Sequence, residues 1–307
     1  MRAFVAISGL LLSSQAFAWN DASHVIINEI AYQSVNASTQ QILDTQASAA
    51  LAHFSTEELQ KIREKYQGVS DFALIPLIPE MEKLTSIGEV FELYAENVPS
   101  WAELYKEVSL NDWHALTHSV NDDGCELPTQ TTLLDGIKEM PNVYRTAQSP
   151  AEQGLALAYL SHLTADLHQP LNNFTKTEEV NGQCVSDNNG KDYCLENIDA
   201  NQQCPIDASL YHYWNSGMNT INDADDVKQY ADKLLILFPQ SRSRNLEWSP
   251  QSWSQEHIKL ADFIYSSLEN SAPSPAYKRL GLRISQKRIA IAGYRLAIKI
   301  EELQAKK

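Results

Sequence analysis

Long apolar runs are missing from almost the whole of this sequence. The one near the start, Val5 to Leu12, is too short to span a bilayer as a permanent helix, which argues against a retained membrane anchor. Arg2 supplies a positive start to that segment, and Ala16-Phe17-Ala18 forms a small-x-small cleavage site. Residues 1–18 are therefore expected to be a signal peptide, with the mature chain running over 19–307 and destined for a periplasm or the exterior.

Basic residues are also scarce. The chain carries 24 Lys+Arg against 39 Asp+Glu, a formal net charge of −15. That shortage argues against tight, non-specific nucleic-acid binding through a broad basic face. It does not exclude a polyanionic substrate, because bound divalent metals can be the largest local charges in a site. No Pro/Gly/Ser-rich linker, internal repeat or low-complexity tract divides the chain, so residues 19–307 are read as one domain with a substantial core.

Cysteines are few: Cys125, Cys184, Cys194 and Cys204. None is spaced as Cys-x-x-Cys, which speaks against a cysteine metal site. An even number in an exported chain points instead to two disulfides, stapling the polar segment between Asn181 and Pro205. Of the three possible pairings, Cys184–Cys194 with Cys125–Cys204 is the one favoured here.

Runs of strand-like alternation are absent too, apart from a possible small hairpin in the cysteine-rich loop. Apolar groups instead recur at helical spacing over about 22–32, 79–97, 150–168, 249–270 and 276–303. The fold class is thus expected to be all-α. Ser149-Pro150 reads as a helix start, with the hydroxyl as cap, proline in the first turn, and Glu152 placed to close a capping box. Ser249-Pro250 repeats the opening without the glutamate.

Only eight histidines occur, and several stand where metal ligands would be useful. His162 and Asp166 lie four apart in a strong helical pattern, so both project from one face. They offer an imidazole and a carboxylate to a common ion, with a second carboxylate oxygen free for another. An isolated His-x-x-x-Asp is more commonly a surface pair without metal. Here the apolar neighbours suggest burial, and a buried carboxylate demands a cation or hydrogen-bond donors. Trp101-Ala102-Glu103 and Trp113-His114 lie upstream, and Glu103 and His114 could complete a four-ligand set. At the mature N-terminus, Trp19 is followed by His24.

The ordered set of motifs resembles the zinc-dependent nucleases of the P-one and S-one type, whose fold is shared with bacterial zinc phospholipase C. Members begin with Trp after signal cleavage, then a His, as do Trp19 and His24. Trp101-Ala102-Glu103 resembles their Trp-Ala-Asp, Trp113-His114 their Trp-His, and His162 to Leu171 their His-x-x-x-Asp-x-His-Gln-Pro-Leu helix. Trp253-Ser254-Gln255-Glu256 and Ala292-Gly293-Tyr294-Arg295-Leu296-Ala297 resemble later family segments. The resemblance implies a multi-helix all-α domain and a zinc cluster. One ion would be held by the Trp19 amine and carbonyl, His24 and Asp166. A second would be held by Glu103, His114, His162 and Asp166. Asp166, Glu103 and His114 are then the expected catalytic residues. The family's third zinc site is altered: its ligand positions carry Asn172, Tyr211 and Asn215. His168 falls in the motif without being a ligand in the family. Two zincs are therefore expected in place of three.

Three readings follow from the resemblance. The first is a secreted zinc phosphodiesterase acting on single-stranded DNA, RNA or 3′-nucleotides. The second is a phospholipase C-like phosphoesterase. The third is a homologue that keeps zinc, for stability and binding, with weakened or absent catalysis.

Overall fold

The computed structural model describes residues 19–81, 86, 88–89, 109, 113–120, 125–195, 203–221, 226–268 and 272–305. The segment read as a signal peptide lies outside these residues, as does Glu103. The helices, in chain order, are α1 (Asp21–Ser34), α2 (Ala37–Leu51), α3 (Thr56–Lys65), α4 (Asp71–Leu74), α5 (Ile78–Met81), α6 (Thr132–Thr146) and α7 (Pro150–His168). They continue as α8 (Leu210–Asn215), α9 (Val227–Leu237), α10 (Pro250–Ile258), α11 (Ala261–Ser266) and α12 (Pro275–Ala305). The fold is all-α, with one small sheet among the described residues: β1 (His118–Val120), β2 (Phe174–Val180) and β3 (Gln183–Ser186), in the order β1-β2-β3. β1 runs parallel to β2, and β2 pairs antiparallel with β3 as a hairpin.

Helix α7 is the axis of the molecule. From Gly154 to His168 every residue is buried, so the helix is covered on all sides. α2, α6 and α12 pack along it, and α1 packs between α7, α9 and α12. A single apolar cluster gathers Trp19 and α1 with α2, α6, α7, α9 and α12. Two glycines permit the close approaches that set the site. A Cβ on Gly136 would stand 2.6 Å from the Trp113 ring and 2.7 Å from Leu163, so this glycine makes room for Trp113 against α6 and α7. A Cβ on Gly293 would meet Ile30 Cγ2 at 2.5 Å, so this one lets α1 lie close on α12.

The opening of α7 follows the sequence reading with one correction. Ser149 Oγ accepts from Glu152 N at 3.2 Å, but the Glu152 carboxylate accepts from Gln148 N at 2.7 Å rather than from the Ser149 amide. Ser149 before Pro150 is extended, at φ −135° and ψ 158°, and it is the amide one residue earlier that faces the glutamate. The helical pattern over 249–270 is also broken: α10 stops at Ile258, a turn at Lys259-Leu260 intervenes, and α11 resumes at Ala261. Beyond Met81 most of the pattern over 79–97 lies outside the described residues.

Two disulfides are present, but with the other connectivity: Cys125–Cys184 and Cys194–Cys204. Backbone pairing explains the correction. Thr177 Oγ1 on β2 donates to Cys125 O at 2.8 Å, holding that segment beside the hairpin that carries Cys184. Between Cys184 and Cys194 the chain turns through Asp187–Asp192 and then pairs with the returning strand, Leu195 N to Ala208 O at 2.9 Å and Leu210 N to Tyr193 O at 2.8 Å. That pairing brings Cys194 to Cys204 and away from Cys184.

Candidate metal centre

Two helices, α1 and α7, and the loop carrying His114 bring the sequence-identified ligands together. α1 begins under the Asn20 cap, which accepts from Ser23 N at 3.0 Å, and Asn20 Nδ2 is itself anchored on Ile221 O at 2.7 Å. This fixes the first turns of α1 with Trp19 buried at its foot and His24 facing α7. His162 and Asp166, one turn apart on α7, are both fully buried. His114 follows Trp113, whose ring is packed against Gly136, and Leu116 N donates to Asn172 O at 2.7 Å. The His114 side chain is 16% exposed, the most open of the four.

Asp166 is the hub. His24 Nε2 lies 3.3 Å from its Oδ1. His114 Nδ1 lies 2.9 Å, and His162 Nε2 3.3 Å, from its Oδ2. His114 Nδ1 and His162 Nε2 are 3.0 Å apart. The tautomer of His162 is fixed by chemistry: Nδ1 faces the Pro76 carbonyl at 2.8 Å, a carbonyl can only accept, and so Nδ1 carries the proton. Nε2 is left to present a lone pair to the cluster, the outer-sphere arrangement that metal-ligating histidines show. Among the described residues His24 Nε2 and Asp166 Oδ1 make no aligned hydrogen bond, although both are buried. Converging imidazole and carboxylate atoms with unmet valence fit a divalent metal of zinc type.

The electrostatics agree. Burial alone would push the Asp166 carboxyl up, yet His162, His114 and His24 together hold it well below the usual carboxylate range. Burial, and then the charge of His162, push His24 down. Burial opposes protonation of His162 as well, but the Asp166 carboxylate outweighs it and draws the imidazole up. Asp166 is thus an anion whose two oxygens each face imidazole nitrogen.

Glu80, which the sequence did not single out, also stands beside the cluster. It sits on α5, directly after the Pro76 segment that orients His162, with Oε1 3.9 Å from His162 Nε2 and a side chain only 8% exposed. The available signal was Pro79-Glu80 opening a helical pattern, a buried carboxylate in apolar company. The Trp-Ala-Glu match points instead to Glu103, which lies outside the described residues.

Of the residues at the expected third-site positions, Asn172 and Tyr211 bond one another, while the backbone of Asn215 bonds the start of α1. Asn172 Nδ2 donates to Asp166 O at 3.0 Å, and Asn173 Nδ2 donates to Leu167 O and Gln169 O, both at 2.9 Å, so the two amides cap the C-terminal carbonyls of α7. The Tyr211 hydroxyl donates to Asn172 Oδ1 at 3.2 Å. Burial, then the charges of Asp166 and Glu80, push the Tyr211 hydroxyl well up, so it remains a donor. The carbonyl of Asn215 accepts from Asn20 N at 3.4 Å, which ties the end of α8 to the start of α1.

His168 turns away from this cluster. Its Nδ1 donates to Thr164 O at 2.7 Å and its Nε2 accepts from Arg295 at 2.8 Å, so the ring is neutral. Burial and the Arg295 charge push its pKa well down. Arg295, inside the Ala-Gly-x-Arg-Leu-Ala segment, also bonds Glu256 at 2.8 Å, which joins two of the sequence motifs in one buried link behind α7.

These features define a class: a mostly helical protein whose buried His/His/Asp donors can hold metal at the C-terminal end of a central helix. The family follows from comparison of the whole chain. The S1/P1 Nuclease family matches residues 19–305, and the chain belongs to it. That family consists of zinc enzymes that hydrolyse phosphodiester bonds in nucleic acid. No curated protein matches the sequence significantly.

Proposed function

We propose that this protein is an exported zinc-dependent phosphodiesterase acting on single-stranded DNA or RNA, with two metal sites joined by Asp166. One observation carries the reading: the two oxygens of Asp166 face different imidazoles, His24 on one side and His114 with His162 on the other. A carboxylate so placed is suited to bridge two cations. On the first side the donors are His24, Asp166 Oδ1, and the amine and carbonyl of Trp19 once the segment before it is removed. On the second they are His114, His162 and Asp166 Oδ2, completed by Glu80 in preference to Glu103, because Glu80 is already seated beside His162. Zinc bound there would act as a Lewis acid and lower the pKa of a water for attack on a phosphodiester.

The chain's own residues do the positioning. The Pro76 carbonyl holds His162 in its tautomer, Asn172 and Asn173 cap the helix end beneath Asp166, and Tyr211 stands as a fixed, protonated donor beside the cluster. Neither Asn172 nor Tyr211 can serve as the imidazole that the family's third site uses. Turnover should therefore be lower than a three-metal enzyme would give, by roughly a factor of ten for each 1.4 kcal/mol of lost transition-state stabilisation. The two disulfides suit an oxidising compartment. Among the described residues no helix is long and apolar enough to cross a membrane.

The test is metal content and turnover of protein that begins at Trp19. About two zincs per chain and hydrolysis of single-stranded nucleic acid are expected. Hydrolysis confined to a phosphatidylcholine analogue would move the protein to the phospholipase reading. No turnover on any substrate, with the Asp166→Asn protein indistinguishable from the parent, would leave a zinc-binding homologue without catalysis.

A further inference from the structure

Away from the metal cluster, the acidic chain gathers cations in one place. A cleft of about 620 Å³ between the end of α9, the loop after it, α10 and α12 is lined by Arg242, Arg244, Lys259, Lys287 and Arg288. A second cleft of about 510 Å³ shares Asn245, Glu256 and Lys259 with it, so the two form one groove running on toward Gln251. The carboxylate on its wall, Glu256, is committed: it pairs with Arg288 at 2.6 Å and with the buried Arg295 at 2.8 Å. Arg242, Arg244, Lys259 and Lys287 are all exposed. Glu247 is the other acidic group on the extended groove, at its far end.

The walls are held in shape by α12. Arg295 donates to the Asn245 carbonyl from Nε at 3.0 Å and from Nη2 at 2.6 Å, pinning the loop between Arg244 and Glu247. Asn245 takes a left-handed φ of 57°, which turns the chain at that point. At the other end the Tyr294 hydroxyl donates to Phe238 O at 2.8 Å. Phe238 lines the groove, packed against the core, with the Arg283 guanidinium over its ring 5.6 Å from the centroid as a further cation nearby. A positively charged groove that can track a backbone is the electrostatic ingredient of single-strand recognition.

We propose that this groove binds the phosphodiester backbone of single-stranded nucleic acid, as a site separate from the metal cluster. The choice of nucleic acid among polyanions rests on the function proposed above; the groove itself uses none of the cluster's residues. A concave cleft admits a flexible strand, whereas a flat bilayer reaches only protruding groups. Exposed Ile236, 79% accessible just before the groove, makes an anionic membrane the competitor to be tested. The local basic track also reverses the expectation drawn from net charge, because a strand feels the charges within a screening length of about 8–10 Å rather than the sum over the molecule.

The experiment measures anisotropy of a labelled oligothymidylate over a range of salt, using full-length mature protein in an Asp166→Asn background so that the strand stays intact. Binding should persist in that background. Adding Arg242→Glu with Lys287→Glu should weaken it at least tenfold and reduce the salt slope by about 1.4, at roughly 0.7 per lost phosphate contact. The pair Arg244→Glu with Lys259→Glu serves as an independent second variant, and circular dichroism checks that both fold. The proposal falls if both reversals bind like their parent, if Asp166→Asn alone abolishes binding, or if phosphatidylglycerol vesicles bind through the groove while the strand does not. Hydrolysis of bis(p-nitrophenyl) phosphate by the reversals with Asp166 restored reads the metal cluster alone and should be unchanged. If every form failed to hydrolyse it while groove-dependent strand binding held, the phosphodiesterase reading would fall and the groove would stand.

Discussion

The rings of His24 and His162 lie face to face, with centroids 4.2 Å apart and planes 8° from parallel, yet their Nε2 atoms address opposite oxygens of Asp166. Stacked imidazoles in a fully buried site give one another no hydrogen bond. The proposed cations, one on each side of the carboxylate, would reconcile them. Removing metal should therefore cost stability as well as activity. With free zinc at 100 to 1,000 times its dissociation constant, linkage gives roughly 3–4 kcal/mol of stabilisation, and chelation should lower the melting temperature accordingly. Asp166→Asn should lose most of the bound zinc, and kcat/KM should fall by at least about a thousandfold, or 4 kcal/mol. A chelated protein that melts where the parent does would contradict the bridging assignment.

Glu80 and Glu103 make competing claims on the same role. Glu80 Oε1 already stands 3.9 Å from His162 Nε2 in a nearly closed pocket, and α5 follows directly from the Pro76 carbonyl that orients that histidine. Glu80→Gln should remove about one zinc per chain and reduce kcat/KM by on the order of a hundredfold or more, whereas Glu103→Gln should stay within a few-fold of the parent. Elemental analysis beside steady-state kinetics separates the two. The opposite ranking would return the role to Glu103.

What could be read from the sequence was set by how local its cause is. His162 and Asp166 share a helix, so spacing alone placed them on one face, and the apolar run around them foretold their burial. His24 and His114 were legible through motif resemblance, and the structure brings both to Asp166. Glu80 was not, because its claim depends on where a short helix after Pro76 is packed, a relationship between segments distant in sequence. The cysteine pairing failed for the same reason. Proximity along the chain suggested Cys184 with Cys194, but the hairpin and the strand-like return at 208–210 carry those residues apart.

The observed connectivity has different thermodynamic weight in its two bonds. Cys125–Cys184 spans 59 residues and Cys194–Cys204 spans 10, so loop-closure entropy gives about 4 and about 3 kcal/mol respectively. Replacing Cys125 and Cys184 together by serine should lower unfolding stability more than replacing Cys194 and Cys204. Non-reducing peptide mapping should find the 125–184 and 194–204 pairs. Recovery of a 184–194 peptide would overturn the hairpin arrangement.

Behind α7, His257 gives the fold a pH dependence independent of metal. Its Nδ1 donates to Trp253 O at 2.7 Å, and burial, then the charge of Arg288, hold its pKa well below the ordinary value. His168 is held down in the same direction by burial and Arg295. Below about pH 6.5 the unfolded imidazoles take up protons that the native ones refuse, so the unfolded state binds more protons and stability falls as pH falls. The loss starts near pH 6.5 and continues until the depressed native pKa values are reached. Its slope is up to about 1.4 kcal/mol per pH unit for each histidine. Urea unfolding of chelated protein at pH 7.5 and pH 5.5 should show this decline, and His257→Asn should make it shallower. A slope unchanged by that substitution, or stability that rises on acidification across this window, would mean that His257 is already protonated in the native state.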